Sequence, residues 1–213
     1  MDELDKLKAA WKSQDYSKEK VSAKDIYKML HAKSSSYVKW IFYISIIEFV
    51  LLNSLYLSPK YKNDIKFYKE LDLGMIMTVI GVISTIIVLF FIYRFYINYK
   101  NIKVDSSSKA LMQSILKTRR TVKNYIYFNI GMAIVLITIV YSKIFSNAEA
   151  FRLYKLNSNI PDINTPSDLS MKVMIIFATA LMILIIFLFY RLVYGILLRR
   201  LKKNYKELEQ LDK

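Results

Sequence analysis

The chain has 213 residues, of which 54% are apolar and 23% charged, and its formal net charge is +15. Such figures coexist only because charge and hydrophobicity are segregated along the chain, which excludes an ordinary soluble domain with polar residues spread over its surface. Cysteine is absent and His31 is the single histidine, which excludes disulfides, thiol catalysis, thiolate metal sites and multi-histidine metal sites.

In chain order, the first element is MDELDKLKAAWKSQD. Leu4, Leu7 and Trp11 recur at i, i+3 and i+7, and acids crowd the first turn, which predicts a short amphipathic helix. An apolar face of that kind either packs on the rest of the protein or the membrane surface, or docks a soluble partner. Next, Ser22-Ala23-Lys24-Asp25 reads as a helix cap, and no Gly or Pro follows until Pro59. A helix from Ser22 to Leu57 would be roughly 54 Å long at the α-helical rise, well beyond a bilayer core of about 30 Å.

Four apolar runs are long enough to cross a bilayer: 40–57, 73–97, 125–145 and 173–198. Four such runs leave too little chain to cover them with a soluble shell, so the fold class is an all-α integral membrane protein with four transmembrane helices. Asp105-Ser106-Ser107 precedes the third span as a second helix start. Beyond the fourth span, Leu198, Leu201, Tyr205 and Leu208 form one apolar stripe spaced by three, four and three. This organisation divides the chain into an amphipathic N-terminal segment (1–39), a transmembrane domain (40–198) and a helical tail (199–213), with extensions of the spans forming a small cytoplasmic collar.

Charge sets the orientation. Segments 1–39, 98–124 and 199–213 hold 22 Lys or Arg against 7 in the connecting loops 58–72 and 146–172. Short loops rich in Lys and Arg stay cytoplasmic, so both termini are expected there, in a bacterial inner membrane, with no cleaved signal sequence. Anchoring to anionic headgroups accounts for the net charge without a nucleic-acid partner. Trp40, Tyr43, Tyr56, Tyr96, Tyr125, Tyr141 and Tyr194 fall near span ends, where aromatic rings favour the membrane interface.

The halves also resemble each other. Lys33, Val38, Lys39 and Tyr43 recur 84 residues later as Lys117, Val122, Lys123 and Tyr127, and Phe91-Ile92-Tyr93-Arg94 is echoed by Leu188-Phe189-Tyr190-Arg191. Two parallel helical-hairpin repeats and simple compositional likeness between Lys-flanked apolar helices both account for this.

Few residues offer chemistry. Glycine-rich phosphate loops, dinucleotide fingerprints and a Ser–His–Asp set are missing, and the acids of the connecting loops lack calcium-loop spacing, so no cofactor and no enzymatic activity are expected. Within the spans, Lys143 can snorkel, and Glu48 is the costly residue. Counting inward at the helical rise puts Glu48 roughly 12 Å and Arg191 roughly 10 Å from the same side. An ion pair of Glu48 with Arg191, or with Arg94, is therefore expected, with a hydrogen-bonded neutral carboxyl or a proton or ion path as the other uses of Glu48.

The opening DELDKLKAAWKSQD, followed by IYKMLHAKSSSYVKWIFYISIIEFV, resembles small flavobacterial-type inner-membrane proteins suspected of acting as membrane anti-sigma factors. The resemblance is strongest over 1–55 and general beyond. It implies a cytoplasmic protein partner, a sigma factor, held through Leu4, Leu7 and Trp11. This sequence lacks the zinc-binding His and Cys of the best-known anti-sigma domain. Relatives of this appearance are sometimes labelled beta-carotene monooxygenase, but one histidine cannot hold the iron of that chemistry. The sequence thus points to a non-enzymatic membrane regulator or anchor. The alternative is a small transporter or channel subunit built on Glu48, and a homo-oligomer is compatible with either.

Overall fold

The computed structural model describes residues 22–54, 59–104, 107–146, 149–150, 152–153 and 168–212. The N-terminal residues Leu4, Leu7 and Trp11 lie outside the described residues. Five helices follow in order: α1 Ala23–Ser54, α2 Pro59–Glu70, α3 Gly74–Val104, α4 Ser108–Ser146 and α5 Asp168–Leu211. Four of them, α1, α3, α4 and α5, are long and apolar enough to cross a membrane. The protein is an all-α, four-span membrane protein.

Local chemistry sets the helix ends. Ser22 Oγ accepts the Lys24 backbone N–H at 3.2 Å, and the Ser22 carbonyl starts the helical ladder. Ser107 Oγ accepts the Ala110 N–H at 3.2 Å and opens α4 in the same way. Each serine satisfies a donor that the first helical turn leaves without a partner. The segment 58–72, expected as a loop, instead contains the twelve-residue helix α2. Pro59 opens it, a position where the missing N–H costs nothing. It closes with Asp72 N–H donating to the Lys69 carbonyl at 3.0 Å and Leu73 N–H to the Tyr68 carbonyl at 2.8 Å. Asp72 adopts a left-handed conformation there, with φ 58°, which is the usual way a helix satisfies its last carbonyls.

The four long helices form a ring. α1 packs on α3 and α5, α4 packs on the same two, and α1 meets α4 across the diagonal. Neighbours around the ring are antiparallel. Both described ends of the chain and the α3–α4 connection share one end of the bundle. At 44 residues α5 is roughly 66 Å long by the helical rise, twice the bilayer core.

Buried side chains concentrate toward that termini end. Leu30, Ile102, Leu111, Ile115, Leu201 and Leu208 are closed off from solvent and continue through Val38 and Val122 into Phe95, Tyr125, Tyr190 and Tyr194 within the spans. Two polar ties cross this region: Asn98 Nδ2 donates to Thr121 Oγ1 at 3.2 Å, and Asn204 Nδ2 to Ser34 Oγ at 3.0 Å. A smaller core of Phe67, Leu71, Leu73, Ile144 and Ile175 joins α2 to the opposite end. Between the two cores the spans expose apolar side chains such as Leu51, Val79, Ile86 and Ile185, the surface expected of helices bathed in lipid. The matched positions Val38 and Val122 are both fully buried, whereas Tyr93 is exposed and its counterpart Tyr190 is buried.

Candidate functional site: a carboxylate held by tyrosines

Glu48 sits on α1 deep in the first span, between positions that face the bundle. A carboxylate at this depth must find partners or stay protonated, because no water is at hand to solvate it. The partners are hydroxyls. Tyr190 Oη donates to Glu48 Oε1, and Tyr194 Oη donates to Glu48 Oε2 at 3.0 Å. The two tyrosines are four residues apart on α5, so one helical turn places both on the same face. Each carboxylate oxygen thus receives its own donor without a cation.

The other two spans complete the enclosure. Tyr125 of α4 is 1% exposed, and its ring meets Tyr190 and Tyr194 with centroids 6.3 and 5.9 Å away. Phe91 and Phe95 of α3 pack edge-on to Tyr125 at 5.6 and 5.5 Å. Tilted, edge-to-face contacts of this kind are the favoured arrangement of aromatic rings and fix their orientation. All four spans therefore contribute to one layer: a carboxylate, three phenols and two phenyl rings.

This geometry corrects the expected ion pair. Arg191 follows Tyr190 by one residue, which turns it about 100° around the helix, and it is exposed on the outside of the bundle. Arg94 is also exposed, with its guanidinium 5.8 Å from the centre of the Phe90 ring. Among the described residues, neither arginine forms a salt bridge with Glu48. Glu48 does meet the fourth-span helix, but through its tyrosine face and not through Arg191. The placement of Tyr125 and Tyr194 at the membrane interface is likewise corrected, since both are interior, at 1% and 0% exposure. The i, i+4 spacing of Tyr190 and Tyr194 was the available signal, masked by the number of tyrosines near span ends.

Asn53, also in the first span, donates to the Phe49 carbonyl at 2.7 Å and is satisfied within its own helix. His31 lies beside Tyr27, with the rings tilted and their centroids 6.1 Å apart. Among the described residues no three His, Asp or Glu side chains come together as metal ligands.

Residues 24–213 match the model of the DUF8845 family, a domain of unknown function, and the chain belongs to that family. No curated protein and no solved structure matches it.

Proposed function

We propose that this DUF8845 member is a non-enzymatic membrane regulator or anchor, set in a bacterial inner membrane with its termini in the cytoplasm. It holds a soluble cytoplasmic protein through the face of Leu4, Leu7 and Trp11, and the sequence resemblance favours a sigma factor as that protein. One observation supports the reading above others. The four long helices exceed what a bilayer core of about 30 Å requires, and their ends share a buried core, with Leu30, Leu111, Leu201 and Leu208 closed off from solvent. A helical platform of this kind suits display of a binding segment. The positive charge of the termini side accords with the cytoplasmic orientation.

The second reading, a small transporter or channel subunit, draws on Glu48 itself. A carboxylate in a span with two hydroxyls on it is a group that could exchange a proton. One experiment separates the two. A tagged full-length chain is extracted in mild detergent and its soluble companions are identified, alongside Leu7→Asp/Trp11→Asp and Glu48→Gln variants. The anchor reading expects a defined partner that is lost with the double variant and kept with Glu48→Gln. Retention of that partner by Leu7→Asp/Trp11→Asp overturns it. Loss of a proton-coupled flux in vesicles with Glu48→Gln, at unchanged partner capture, establishes the second reading.

A further inference from the structure

Away from the tyrosine layer, a groove of about 750 Å³ opens between α3 and α4 at the end of the bundle opposite the termini. Its walls are Gly81, Val82 and Ile86 on α3 and Ile137 and Val140 on α4, and α2 covers its top with Tyr68 and Lys69. From Gly74 to Ile86 it runs about 18 Å along the helix axis by the helical rise, close to half of a bilayer core of about 30 Å.

The walls are less polar than their composition suggests. Thr78 Oγ1 donates to the Gly74 carbonyl at 2.8 Å and Thr85 Oγ1 to the Gly81 carbonyl at 2.9 Å. Tyr141 Oη and Thr179 Oγ1 bond each other at 2.7 Å. Hydroxyls engaged in this way have no donor left for a polar solute, and most of what faces the groove is hydrocarbon. Among the described residues, Lys69 is the single charged one in the lining. Its stem lies across Gly74, where a β-carbon would come within 3.1 Å of Lys69 Cγ. The glycine therefore lets the lysine lie at the mouth, and among the described residues no carboxylate forms a salt bridge with it. A one-leaflet-deep hydrocarbon slot with a cation at its interfacial end is complementary to an amphiphile with an anionic head.

We propose that the groove binds one acyl chain of an anionic phospholipid, with Lys69 pairing with the phosphate of its headgroup. The groove lies at the opposite end of the bundle from the start of α1.

The test uses the full chain in mild detergent, titrated with phosphatidylglycerol or phosphatidylcholine of identical acyl chains and read by native mass spectrometry. Phosphatidylglycerol is expected to be retained about fivefold better, the scale of one basic residue at an anionic surface. Lys69→Gln is expected to level the two lipids. Gly81→Phe, which projects a ring into the groove from a position where a β-carbon meets nothing within 4 Å, should reduce retention of both at least tenfold. Gly131→Phe is the matched control, because its β-carbon also meets nothing within 4 Å and it does not line the groove; it should bind as the parent does. Val140→Phe fills the slot from the facing wall and guards against a folding defect peculiar to position 81. Undiminished adducts in both filling variants overturn the proposal, as does equal loss in Gly131→Phe or the absence of any headgroup preference. A parent dimer that Gly81→Phe converts to monomer, without loss of lipid, would assign the groove to a second copy of the chain and also overturn it.

Discussion

Removing one hydroxyl from the tyrosine layer gives the sharpest measure of what holds Glu48. Tyr194→Phe keeps the ring, and with it the packing on Tyr125, but takes away the donor 3.0 Å from Glu48 Oε2. Hydrogen bonds to charged groups in soluble proteins contribute about 1.5–3 kcal/mol. Side-chain hydrogen bonds inside membrane bundles average about 0.6 and reach about 1.7 kcal/mol, because the unfolded chain in lipid also finds partners. The membrane scale governs here. Its upper end applies, since the lost donor leaves a carboxylate oxygen without its partner among aromatic rings. Tyr194→Phe is therefore expected to lower stability by about 1–2 kcal/mol. A cycle of Tyr194→Phe with Glu48→Ala should show a coupling of about 1 kcal/mol, while Arg191→Gln with Glu48→Ala should be additive within about 0.5 kcal/mol. The assay is equilibrium unfolding of purified protein in mixed micelles with rising dodecyl sulfate, followed by helical circular dichroism. Coupling of Glu48 to Arg191 that equals or exceeds its coupling to Tyr194 would refute the geometry.

Three further outcomes follow from the packing. Leu201→Ala opens a cavity in the fully buried core of the helical extensions and is expected to cost about 2–5 kcal/mol in the same assay, as large-to-small core changes do; a loss under about 1 kcal/mol would mean that core is not closed. Asp72→Gly relieves a non-glycine residue held at φ 58°, so it should stabilise the end of α2 by about 0.5–1 kcal/mol, read as slower amide exchange at Leu71 and Leu73. Faster exchange there would contradict the left-handed turn. Finally, the chain has no cysteine, so single-cysteine variants report topology directly. Lys24→Cys, Ser107→Cys and Glu209→Cys should react with an impermeant maleimide from one side of the membrane and Lys66→Cys from the other; labelling of Ser107→Cys and Lys66→Cys from the same side would break the four-span arrangement.

The four spans, their order and the helical extensions were legible because they depend on length and on where charge stops, both one-dimensional properties of the chain. Leu201 and Leu208 were legible for a related reason: outside the bilayer a buried stripe contrasts with charged neighbours, and both are fully buried. Helix α2 was overlooked although Pro59 at its start was visible, because its charged residues read as a solvated loop. Within the spans the contrast disappears. Lipid-facing and core-facing side chains are both apolar, so the pattern carries almost no information about rotation around the helix axis. That rotation separates Tyr190, which reaches Glu48, from Arg191, which reaches the outside. Depth could be counted from the span ends, but facing is decided only when the aromatic rings of α3, α4 and α5 interlock, and that interlocking chose two hydroxyls over a guanidinium as the partners of the buried carboxylate.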